Sequence, residues 1–162
     1  MGKSIVVYYS FEGSTKRLAE KLSKELKCEC LELKAIKEIK TRGFFKYVWG
    51  GRQAVMKKAP DLNPYELKLE NYENIIIGTP VWAGTIAPPI RTFLKDENIK
   101  NKKIAFFCSH EGGKGKVFEK FRELIKESNS IITFKDIVKP LSDVDSTNNE
   151  IIKWGKELKK ML

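Results

Sequence analysis

What most narrows the fold of this chain is an alternation, kept up along its length, between short runs rich in β-branched residues and longer stretches with a helical apolar period. Residues 3–9 are rich in Val, Ile and Tyr, the composition of a parallel strand covered on both faces. From Ser14 onward Leu18, Leu22 and Leu26 recur at helical spacing, with Gly13 or Ser14 where the cap belongs. Further strands are predicted over 30–33, 74–78, 103–108 and 131–138, and further helices over about 44–57, 89–95, 115–126 and 148–162. Ile151, Trp154, Leu158 and Met161 share one face of the last helix. Between them, residues 34–72 are broken by Gly43, Gly50, Gly51, Pro60 and Pro64. Five strands alternating with helices call for right-handed crossovers, so the predicted class is α/β, a three-layer sandwich with a parallel sheet between helices. At 162 residues, 41% of them hydrophobic, the chain is sized for a single domain over 1–162.

Composition removes several function classes. The formal net charge of +10 favours anionic partners without naming one. Most basic residues are interleaved with Glu on helical segments, as in 16–21, which reads as a solvated face. No nucleic-acid motif is present, and nucleic acid is not the expected partner. The apolar run 5–9 is too short for a membrane span and has no secretory cleavage site, so a cytoplasmic protein without membrane association is expected. With three cysteines, one histidine and no C-x-x-C pair, no structural zinc and no disulfide framework is expected; the cysteines are read as reduced packing residues.

In an open parallel sheet, ligands bind beyond the carboxyl ends of the strands, where strand order reverses. That directs attention to the loops after Tyr9, Gly78 and Cys108. The first, Ser10, Phe11, Glu12, Gly13, Ser14 and Thr15, runs from strand into helix with hydroxyls at three of six positions. Helix-start N–H groups, the helix dipole and those hydroxyls make an anion cradle, unless Ser14 merely caps an ordinary turn. It is not a nucleotide P-loop: G-x-x-x-x-G-K-[ST] fails here and again near Gly113, where Val117 stands in place of the hydroxyl. The second loop spans 78–89 and carries Trp82 among glycines and prolines. Trp82 suits the wall of a flat heteroaromatic ring, or else fills the core. The third, 109–115, has three glycines in four positions, which permit close backbone approach to a ligand or simple flexibility. His110, the only histidine, is read as a loop polar group, and no catalytic residue is assigned.

Together these loops resemble those of the flavodoxin family, over essentially the whole chain. The family's phosphate loop, roughly S/T-x-T-G-x-T, finds Ser10, Gly13 and Thr15 in place. A second signature, G-T-P-x-[aromatic or basic]-x-G, falls on Gly78, Thr79, Pro80 and Gly84. The resemblance implies a flavodoxin-like five-stranded parallel sheet of order 2-1-3-4-5 and one non-covalent FMN. Ser10, Glu12, Gly13, Ser14 and Thr15 would hold the phosphate. Thr79, Pro80, Val81, Trp82, Ala83 and Gly84 would line the isoalloxazine, with Gly84 free to turn a peptide carbonyl, and Ser109, His110, Glu111, Gly112 and Gly113 would close its other edge.

Two departures stand out. Glu12 occupies a position where many members carry a hydroxyl, and is expected to swing toward Lys16 or Arg17. Familiar flavodoxins are acidic, whereas here Arg42, Lys46, Arg52, Lys57 and Lys58 crowd a segment with Phe44, Phe45, Tyr47 and Trp49, a docking surface or a helix with inward aromatics. The implied function is electron transfer with a redox partner protein or a small-molecule donor or acceptor. The alternatives are an FMN-dependent NAD(P)H:quinone or flavin reductase, and a flavin-free anion-binding, nucleic-acid-binding or regulatory module.

Overall fold

The computed structural model describes residues 2–37 and 60–162. The predicted helix at 44–57 and the basic, aromatic segment at 42–58 therefore lie outside the described residues. Strand β1 (Ser4–Tyr9) is buried at all six positions. Alternation explains how one strand serves two cores. Val7 and Tyr9 pack with Ile75, Ile77, Phe93, Phe106 and Phe121, whereas Val6 and Tyr8 pack with Leu18, Leu22, Ile76, Phe107 and Ile151. Each such fully buried Val, Ile or Phe is worth roughly 1.5–3 kcal/mol relative to exposure.

Helix α1 (Ser14–Leu26) buries Leu18, Leu22 and Leu26 as the spacing predicts. It ends at Lys27, which takes a left-handed φ of 54° while the Cys28 N–H reaches back to the Ser23 carbonyl at 3.0 Å. Strand β2 (Glu29–Leu33) follows at the sheet edge. Strand β3 (Asn74–Trp82) turns into the two-residue β4 (Thr85–Ile86). After them come α2 (Pro88–Asp96), β5 (Lys103–His110), α3 (Val117–Leu124), β6 (Ser130–Val138) and α4 (Val144–Leu158). The order across the sheet is β2-β1-β3-β5-β6, all neighbours parallel, with β4 antiparallel to β3. This is the expected 2-1-3-4-5 order with one short strand added.

Two elements, β3 and α4, and two residues, Met161 and Cys30, depart from the sequence reading. β3 continues four residues beyond Gly78, because Thr79 and Pro80 keep pairing with Cys108 and Ser109 after the last register with β1 at Tyr8. α4 begins at Val144 instead of 148, since the Asp143 carboxylate caps it by accepting from the Ser146 N–H at 2.9 Å. Met161 falls past the end of α4 and is exposed, while Ile151, Trp154 and Leu158 are buried. Cys30, read as a packing residue, is exposed on the edge strand. No described helix is long and apolar enough to cross a membrane.

Candidate functional site

The carboxyl ends of β1, β3 and β5 bring the three loops together. In the first, Gly13 stands at the cap position of α1 with φ 90°, a conformation that glycine adopts without a Cβ penalty. Its N–H donates to the Ser10 hydroxyl oxygen at 3.1 Å, which closes the turn. No side chain caps the first turn of α1, Ser14 included, and no acidic residue lies in it. The helix therefore presents backbone donors and the positive end of its dipole to whatever lies in front of the loop.

The remaining members of this loop divide. The hydroxyl of Thr15, expected at the phosphate, is fully buried and hydrogen-bonded to the hydroxyl of Ser109 at 2.9 Å, tying the first loop to the third. The Thr15 amide lies in the uncapped first turn of α1. Glu12 is exposed. The expected cations are engaged elsewhere: Lys16 Nζ lies 3.4 Å from Glu32, and the Arg17 guanidinium donates to the Pro140 and Val144 carbonyls, Asn148 and Thr147. Arg17 is thus a clamp on the turn before α4, which the sequence reading missed for want of a local signal.

The second loop is a tight β-hairpin. Ala83 and Gly84 both have positive φ, 49° and 73°, the signature of a two-residue type I′ turn between β3 and β4. Thr79, fully buried, accepts from the Ala87 N–H at 3.1 Å and donates to the Pro80 carbonyl at 3.0 Å, bracing the loop from within. Trp82 is 7% exposed and belongs to the core. It meets the Tyr9 ring edge-on at 5.7 Å and the Phe11 ring at 5.6 Å. Phe11, partly buried in the first loop, packs against the core beside Trp82, and sequence reasoning passed it over in favour of Trp82. The carbonyl of Gly84, expected to turn freely, accepts the Lys116 N–H at 2.8 Å.

The third loop is fixed at its ends and open in the middle. The His110 carbonyl accepts from the Lys139 N–H at 2.7 Å, whereas a Cβ on Gly112 or Gly113 would meet nothing within 4 Å. Glu111 is exposed with them. The His110 side chain is 7% exposed, with Nε2 3.5 Å from the Asp136 carboxylate, and Lys114 Nζ lies 3.6 Å from the same oxygen. Neither ring nitrogen of His110 has a hydrogen-bond partner among the described residues. Nearby, burial and then the Asp136 carboxylate push the Cys108 thiol up to about 12, so at neutral pH it keeps its proton. Among the described residues no cluster of His, Cys, Asp and Glu could hold a metal ion.

The uncapped start of α1 and the open glycines of the third loop thus lie at the carboxyl ends of strands of one sheet. Residues 3–158 match the family described as Flavodoxin. The chain belongs to the flavodoxin family. Among its relatives is the flavodoxin-like domain-containing protein BilS of Clostridioides difficile (strain CD3), 30% identical over 135 residues, which are 80% of this flavodoxin and 62% of BilS. The match thus spans less than two thirds of BilS. Among solved structures, a flavoprotein from Lactobacillus acidophilus NCFM in complex with FMN is 28% identical, covers 90% of this chain and 98% of its own, and superposes with a TM-score of 0.67. A protein from Bacteroides uniformis ATCC 8492, 19% identical with coverage of 93% and 97%, shares the fold at a TM-score of 0.78.

Proposed function

We propose that this flavodoxin holds one FMN non-covalently across its three loops and serves as an electron-transfer protein. The observation that carries the reading is the uncapped N-terminus of α1 behind Gly13, in a chain similar to a flavoprotein solved with FMN. The amides of Gly13, Ser14 and Thr15, with the Ser10 and Ser14 hydroxyls, would bind the phosphate. Pro80, Val81, Ala83 and Gly84 would form one wall of the ring site, braced from within by the buried Thr79 and Trp82. Ser109, His110, Glu111, Gly112 and Gly113 would form the other, the glycines letting backbone approach the ring edge. FMN, when bound, supplies one- and two-electron chemistry that no side chain here provides. The protein's part is to seize the phosphate, orient the ring, and exclude water with the Phe11 and Trp82 pair. Its net charge of +10 favours a redox partner, protein or small molecule, that presents negative charge.

Purified protein tests this in two steps. The reading expects flavin absorption after reconstitution with FMN, and negligible steady oxidation of NAD(P)H with or without quinone. Sustained NAD(P)H turnover would replace the carrier with a quinone or flavin reductase. A protein that stays colourless in excess FMN would leave a flavin-free anion-binding module.

A further inference from the structure

At the amino end of the sheet, away from the three loops, a groove opens between the last turn of α1, the first residues of β1 and β2, and the end of α4. It encloses about 770 Å³, within the usual range of ligand sites, roughly 300–1,000 Å³. Its floor is Leu26, 4% exposed, with the half-buried Cys28 and the hydroxyls of Ser4 and Ser23. Those hydroxyls are already engaged. Ser23 donates to the Glu20 carbonyl at 3.1 Å, and Ser4 donates to the Gly2 carbonyl at 3.3 Å and accepts from Asn74 Nδ2 at 3.1 Å. The floor therefore offers an occupant apolar contact and no free hydroxyl.

The rim is cationic. Lys3 and Lys159 stand on it already paired, with Glu29 at 2.8 Å and with Glu25 at 2.7 Å. Lys24 and Lys27 are exposed on the same rim and make no ion pair among the described residues. The carboxyl end of α1 carries roughly half a negative charge, less than two cations balance. Its Ser23 and Lys24 carbonyls are taken by the Cys28 and Lys27 amides, so neither lysine is needed to cap them.

We propose that this groove is a docking site for an acidic peptide segment of a partner protein, with an apolar side chain over Leu26 and carboxylates on Lys24 and Lys27. Charge complementarity and the recessed floor select that occupant. Nucleic acid finds no aromatic side chain among the described lining residues on which to stack a base. A bilayer takes up a protruding apolar face, whereas Leu26 is buried beneath the lysines. The six residues of β1 separate this end from the loops, about 20 Å at about 3.3 Å each. A partner held here leaves the three loops open, so the groove tethers and does not exchange electrons. The docking role stands apart from the FMN reading.

The test is a titration of nitrogen-15-labelled wild-type protein with a peptide of three Glu-Glu-Leu repeats, its affinity read by fluorescence anisotropy of the labelled peptide. Amides of residues 2–4 and 24–29 are expected to shift while those of 10–15 stay in place. Binding is expected to weaken about tenfold in the double variant Lys24→Glu, Lys27→Glu, and about tenfold when Gln replaces Glu throughout the peptide. Should the double variant fail to fold, the wild-type shifts and the Gln peptide decide. An unmoved groove, equal affinity for the Gln peptide, or wild-type affinity in the folded double variant would overturn the proposal. So would groove shifts that a DNA oligonucleotide or phosphatidylserine vesicles produce and the peptide does not. Shifts confined to 10–15 would put the peptide on the phosphate loop and end the docking role while leaving the FMN reading untouched.

Discussion

Removing the indole of Trp82 would open a hole beneath Phe11 and Tyr9, the rings it meets at 5.6 and 5.7 Å. Trp82→Ala is expected to cost about 3–5 kcal/mol in urea unfolding, the range for a buried aromatic; a loss well under 1 kcal/mol would place the ring outside the core. Gly13→Ala is a cleaner probe, because a Cβ there meets no atom within 4 Å and only the φ of 90° resists it. It should cost about 1–2 kcal/mol through the left-handed backbone alone, and weaken binding at the loop it reshapes. Cys108 gives a pH signature. Its thiol is raised from 9.0 to about 12 in the folded state, so the unfolded chain loses its proton first. Its contribution is full below pH 9 and declines as pH rises toward 12. Cys108→Ala is expected to flatten the alkaline fall in stability over that window; an unchanged slope would mean the thiol ionises as readily folded as unfolded. At this scale the sequence showed which residues are special but not which way they face. Gly13 and Gly84 announce unusual backbone in their motifs. The inward turn of Thr15 depends on Ser109, 94 residues away, and no local pattern encodes it.

Elements were more legible than side chains because periodicity is local. The strand and helix alternation, the apolar face of α1 and that of α4 as far as Leu158 follow from spacing alone. What spacing could not place was ends. β3 runs on through Pro80 because a neighbouring strand is there to pair with it, and α4 starts early because Asp143 outcompetes a purely apolar count. Asp143→Ala should therefore lower stability by about 1 kcal/mol, read as a fall in Tm, by stripping the cap from Ser146. At the other extreme, Lys27 closes α1 in a conformation that favours glycine. Lys27→Gly is expected to raise Tm by relieving about 1 kcal/mol of backbone strain; a drop would show that the lysine side chain contributes more than its backbone costs.

For the whole molecule, the sheet order was legible because parallel strands with right-handed crossovers admit few topologies. It is that order which places the first helix, the hairpin turn and the glycine loop at one end of the sheet. Thr15 with Ser109, Lys116 with Gly84, and Lys139 with His110 then stitch those loops to one another and to the turn before α4. Such a frame arrives largely preformed, so its selectivity should lie in the group the α1 terminus grips. The direct test is to compare FMN with riboflavin, which lacks only the phosphate, by quenching of flavin fluorescence on the same preparation. FMN is expected to bind at least tenfold more tightly, about 1.4 kcal/mol, with the advantage shrinking when inorganic phosphate is added. Equal affinity for the two flavins, or uptake of neither, would contradict the account.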